Sequence, residues 1–142
     1  MKLRELVSAY NRLDKAVVSK LDEKDAIKIL KARKAMRPHA DEYDAFLKDC
    51  QEKLKPENWD DVQSKLQQWQ QEGENTKLTE AERIEVNKAC IAYESAINRA
   101  VKEELEKEIE VSFEKLSEGC DVKLMQENKW TVHQLEELNI LF

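Results

Sequence analysis

Only two glycines and two prolines punctuate 142 residues. No GxxxxGK[ST], GxGxxG or GxSxG segment occurs, which excludes the usual phosphate-cradling loops and the strained nucleophile elbow. The three cysteines, Cys50, Cys90 and Cys120, are odd in number and widely spaced, without a CxxC pair. Neither a disulfide framework nor a structural zinc site follows from that spacing. The two histidines, His39 and His133, belong to no HxH or HxxxH pattern, and no Glu-x-x-His occurs. Helical carboxylate metal centres need that last motif projecting inward from facing helices. No apolar run approaches membrane-spanning length, so no membrane partner is expected. The N-terminus turns polar at once through Lys2, Arg4 and Glu5, with no apolar signal region, and the expected location is the cytoplasm. An excess of positive charge is missing too. The net charge of −6 disfavours general nucleic-acid binding, which depends on clustered Lys and Arg.

What the chain has in quantity is charge, 38% of residues, set between apolar residues at helical spacing. Leu3, Leu6, Tyr10, Leu13 and Val17 form one stripe, predicting a helix over 3–21. A second helix is expected over 23–54, with Ile27, Leu30, Tyr43, Phe46, Leu47, Cys50 and Leu54 on its buried side and a kink or break at Pro38. A third, 59–72, carries Val62, Leu66 and Trp69 and stops at Gly73. Thr79 with Glu82 reads as a capping box opening a fourth helix to about 107, striped by Val86, Cys90, Tyr93, Ile97, Val101 and Leu105. Thr131 with Gln134 reads as another box, and Asp121 as a cap for a short helix ending near Asn128.

Between these, Ile109, Val111 and Phe113 alternate with Glu110 and Ser112. Alternation marks a half-buried strand, and a strand needs a partner for its backbone; continuation of the fourth helix is the competing reading. The expected architecture is therefore all-α: an antiparallel bundle of four to five amphipathic helices, with a short β element near 109–113. It forms a single helical domain, 1–142, carrying 109–142 as a C-terminal appendage of short elements.

Two surfaces stand out as candidate sites. One is apolar and C-terminal: Ile109, Val111, Phe113, Trp130, Ile140, Leu141 and Phe142, a candidate surface for another protein or a second copy of the chain. The other is a basic docking stripe of Lys20, Lys24, Lys28, Lys31 and Lys34, whose bland alternative is a solvated helix face. Residues 1–71 carry a net charge of +2 and residues 72–142 a net charge of −8, which suggests either opposed helices or separate partner surfaces. His39, beside Pro38, Asp41 and Glu42, suits a surface or capping role better than a base or metal ligand, since no second histidine is near in sequence. No catalytic, cofactor-binding or metal-binding residue is assigned.

The order of these elements resembles a family of small phage and prophage proteins found among tail and structural genes. The resemblance is carried by the opening Leu/Tyr helix (3–21), the Lys-rich helix (24–34), the Thr-Glu-x-Glu cap (79–82), the alternating stretch (109–113) and the apolar end (135–142). It implies a role in phage assembly and brings no activity or binding residues with it. The sequence thus points to a non-enzymatic interaction protein, an assembly factor or minor structural component. The alternatives are an acidic regulatory module that sequesters a basic partner, as inhibitors and antitoxins do, and a helical enzyme with an unrecognised site.

Overall fold

The computed structural model describes all residues, Met1–Phe142. The protein is all-α: 72% of its residues are helical, and there is no sheet. Six helices follow in order: α1 (Leu3–Leu13), α2 (Glu23–Lys53), α3 (Trp59–Glu72), α4 (Glu80–Leu105), α5 (Cys120–Asn128) and α6 (Val132–Glu136). Short 3-10 turns cover Gly73–Asn75 and Asn139–Leu141. No helix is long and apolar enough to cross a membrane.

The chain divides into two compact units, and the division does not follow the expected one. The first combines Met1–Ala45 with Glu104–Phe142. Its core joins Leu6, Ala9 and Leu13 of α1, Ile29, Ala32 and Met36 of α2, and Leu116, Cys120, Leu124, Leu138 and Leu141. Residues 109–142 supply five of the twelve buried residues of this core and so are part of it rather than an appendage laid on it. The second unit, Phe46–Glu103, holds four buried hydrophobic residues: Cys50, Val62, Leu78 and Val86. Around them Trp59 packs against Tyr93 with ring centroids 4.3 Å apart and planes tilted by 43°, and the Tyr93 hydroxyl donates to the Gln51 carbonyl at 2.7 Å. Lys65 joins Asp61 at 3.1 Å to Glu82 at 3.8 Å.

Where signals are local, sequence and structure agree. α3 spans the expected residues, and its stop, Gly73, takes a left-handed φ of 58° that suits glycine. Both capping boxes form: Thr79 and Glu82 exchange bonds of 3.1–3.2 Å, and Thr131 and Gln134 exchange bonds of 2.9–3.2 Å.

Elsewhere the structure differs from these expectations. The opening helix stops at Leu13, not near residue 21. Distant groups claim the backbone beyond it: Asn128 accepts from the Val17 N–H at 2.6 Å and donates to its carbonyl at 2.9 Å, while Glu127 accepts from the Lys20 N–H at 3.1 Å and from the Ser19 hydroxyl. Pro38 lies inside an unbroken α2. The turn it disturbs is exposed at Lys34 and Pro38, where water can satisfy the freed carbonyl, while Met36 and Ala40 on either side are buried and hold the helix in place. The stretch 109–113 is neither strand nor helix; α4 ends at Leu105, and a single antiparallel bridge joins Lys2 to Glu108. Asp121 lies inside α5, whose N-cap is Gly119 with φ 89°.

Candidate partner-binding edge

The segment after α4 is a strap tied at both ends. At its start the Leu3 N–H donates to the Lys107 carbonyl at 2.9 Å, and the Ile109 N–H to the Met1 carbonyl at 2.8 Å. The Met1 amino group returns a bond to the Ile109 carbonyl at 3.3 Å and pairs with Glu108 at 3.2 Å. At its far end the Lys28 amino group donates to the Lys115 carbonyl at 3.0 Å, and the Leu116 N–H to the Leu141 carbonyl at 2.8 Å.

Asp25 finishes this second anchor. It is 2% exposed and accepts from both the N–H and the hydroxyl of Ser117, each at 3.0 Å. The Ser117 N–H is the main reason its carboxyl sits below the ordinary aspartate range; burial works the other way, and the Ser117 hydroxyl, the Cys120 thiol and Lys28 add to the lowering. Cys120 is 3% exposed, and its thiol is pushed upward by burial first and by Asp25 second. It is a neutral donor to a carboxylate, the opposite of an activated nucleophile.

Between the anchors, the backbone groups of Glu110, Val111, Ser112, Phe113 and Glu114 make no hydrogen bond within the chain. Ile109, Val111 and Phe113 pack on the core, and Glu110, Ser112 and Glu114 are exposed. The strap thus has the in–out alternation of a strand without a neighbour. Beside 112–114 lies a cleft of about 200 Å³, walled by Lys28, Lys31, Ala32 and Ala35 of α2. The two alanines leave the space.

This geometry redistributes the residues singled out from sequence. Of the apolar set, Ile109, Val111 and Phe113 are half-buried in the strap, Trp130 and Ile140 are half-buried against the same core, Leu141 is fully buried, and Phe142 is 36% exposed. Trp130 lies under the Arg12 guanidinium, 5.8 Å from its ring centre. The apolar side chains are largely turned inward, so the strap presents backbone and polar side chains instead.

Of the basic set, Lys20 lies in the turn before α2 and not on the helix. Lys24, Lys31 and Lys34 are exposed on α2, and Lys28 is drawn in by Lys115 and by Asp25 at 3.7 Å. Two of these lysines and Phe113, from separate candidate surfaces, meet at the one cleft. The Asp25–Ser117 anchor was missed because Asp25 reads as an ordinary acid in the first turn of α2, and its partner is 92 residues away.

His39 is half-buried on α2 and does not line that cleft. A second groove, of about 350 Å³, places Arg4, Glu5 and Ser8 opposite His133, Glu136 and Asn139. No group of three or more His, Cys, Asp or Glu side chains is gathered in a way that holds a metal ion. No protein-family model matches the chain, and comparison with curated proteins and with solved structures returns no match.

Proposed function

We propose that this chain is a non-enzymatic binding protein that takes hold of an extended segment of another protein along residues 109–114. One observation carries the reading: a five-residue backbone that is fixed at both ends and unpaired between them. Unpaired N–H and C=O groups along an extended chain are a template for strand addition, in which main-chain bonds supply affinity and alternate side chains supply specificity. Anchoring lowers the ordering cost that a floppy segment would meet on binding. A role among assembly components, as the resemblance implies, is a setting in which such an edge would be used.

A photo-crosslinking side chain at Ser112, introduced in cells that make the protein, tests this. The expected result is a discrete crosslinked product whose partner peptide maps to one extended segment, with no such product when the probe sits at exposed Glu94 of α4. Identical products from both positions, or none from Ser112, would remove the strap from the binding function.

A further inference from the structure

We infer that the occupant of the strap is an extended peptide segment with Lys or Arg at alternate positions and apolar residues between them, an inference that rests on the strand-addition reading above. The outward side chains set the chemistry. Glu110 and Glu114 are exposed on either side of Ser112. The nearby cations are largely committed elsewhere: the Lys115 amino group donates to the Ile140 carbonyl at 3.0 Å, and that of Lys28 to the Lys115 carbonyl. Lys31 is exposed on the α2 wall of the cleft it shares with Ser112 and Glu114, which leaves Glu110, outside that cleft, without a cation beside it there. A neighbouring strand therefore places its charged residues opposite Glu110 and Glu114, where opposite charges directly across a strand pair attract.

Its intervening residues fall beside Val111 and Phe113, which already pack on the core, and next to the space left by Ala32 and Ala35. Apolar side chains suit that row. The same reasoning disfavours a second copy of this chain. Antiparallel self-pairing about Ser112 sets Glu110 against Glu114 twice, and like charges directly opposite are destabilising. An acidic strand meets the same repulsion, which is how the edge rejects wrong partners.

The test uses the full-length chain and two capped, fluorescent peptides, one alternating Lys with Val and one alternating Glu with Val, titrated at low salt by anisotropy and mapped by amide chemical shifts. The lysine peptide is expected to bind roughly ten-fold tighter or more, with shifts confined to 109–115, and the preference should shrink as salt rises. The double variant Glu110→Lys/Glu114→Lys changes two exposed side chains and should reverse the preference. Equal affinity of both peptides at 109–114 would overturn the basic occupant and leave the docking edge standing. A self-associated chain with protected amides at 110–114 would overturn it in favour of a second copy. Lysine-peptide shifts elsewhere on the acidic surface would overturn it too. Failure of both peptides to bind, with 110–114 still unprotected, would overturn this inference and the docking edge together.

Discussion

Residues 1–45 and 104–142 enclose fourteen buried hydrophobic side chains, whereas residues 46–103 enclose four. The difference far exceeds the difference in length. The first unit closes its core with segments from both ends of the chain and locks them with Asp25, Arg12–Glu137 at 2.9 Å and the Asn128–Val17 pair. The second relies on half-buried aromatic rings, one ring-to-carbonyl bond and exposed charge pairs, and charge pairs at the surface contribute little. Regions with few buried apolar contacts open locally at lower cost than well-packed ones. The unpaired strap belongs to the better-packed unit. Its lack of partners is therefore a property of a held conformation, not a symptom of looseness.

The contrast can be broken most forcefully in the core. Leu124 is fully buried among α1, α2 and the C-terminal segment, and Leu124→Ala should cost about 3 kcal/mol in urea unfolding. A loss below about 1 kcal/mol would mean the first unit is packed no better than the second.

Next comes the anchor. Asp25→Ala leaves the Ser117 N–H and hydroxyl without their acceptor, and the melting temperature should fall by several degrees, roughly 5 °C. The sign of its pH dependence follows from the carboxyl's position below the ordinary range. A group depressed on folding contributes stability that is present above the unfolded value of about 3.9 and disappears as pH falls through the lower folded value. Glu127, lowered chiefly by the Ser19 hydroxyl, acts in the same direction. Melting curves taken from neutral pH to about pH 3 should therefore decline less steeply for Asp25→Asn than for the parent chain.

In the second unit, Val62→Ala should cost about 1–2 kcal/mol, less than Leu124→Ala, because fewer methyl groups leave a thinner core. A larger loss at Val62 would reverse the ranking of the two units. The smallest effect belongs to Lys129, which closes α5 with φ 55°. Lys129→Gly should leave stability unchanged or raise it by up to about 1 kcal/mol, since glycine takes that left-handed conformation without the Cβ penalty.

Much of the helical layout was legible in the chain, for a physical reason. Thr79 with Glu82, Thr131 with Gln134, and Gly73 act within a single turn, so their effects survive any tertiary context. The end of α1 was not legible: Val17, Ser19 and Lys20 are held by residues more than a hundred positions away, and the apolar stripe that runs through Val17 gives no warning of that. At Pro38 the helix does not break, because a proline's cost depends on whether its turn faces water. The strap was half legible. Alternation from Ile109 to Phe113 announced which side chains face inward, but no pattern within that stretch says whether a neighbouring strand exists. The Asp25–Ser117 anchor, which holds the strap's far end, is the product of a contact and left no local trace.

Backbone nuclear magnetic resonance on the isolated full-length chain is the most direct test of an ordered but unpaired edge. Amides of 110–114 should exchange rapidly with solvent while those of Ile109, Leu116 and Ser117 are protected, and heteronuclear relaxation along 109–117 should match that of α1 and α2. Slow exchange at 110–114 in the monomer, or relaxation typical of a free loop, would contradict it.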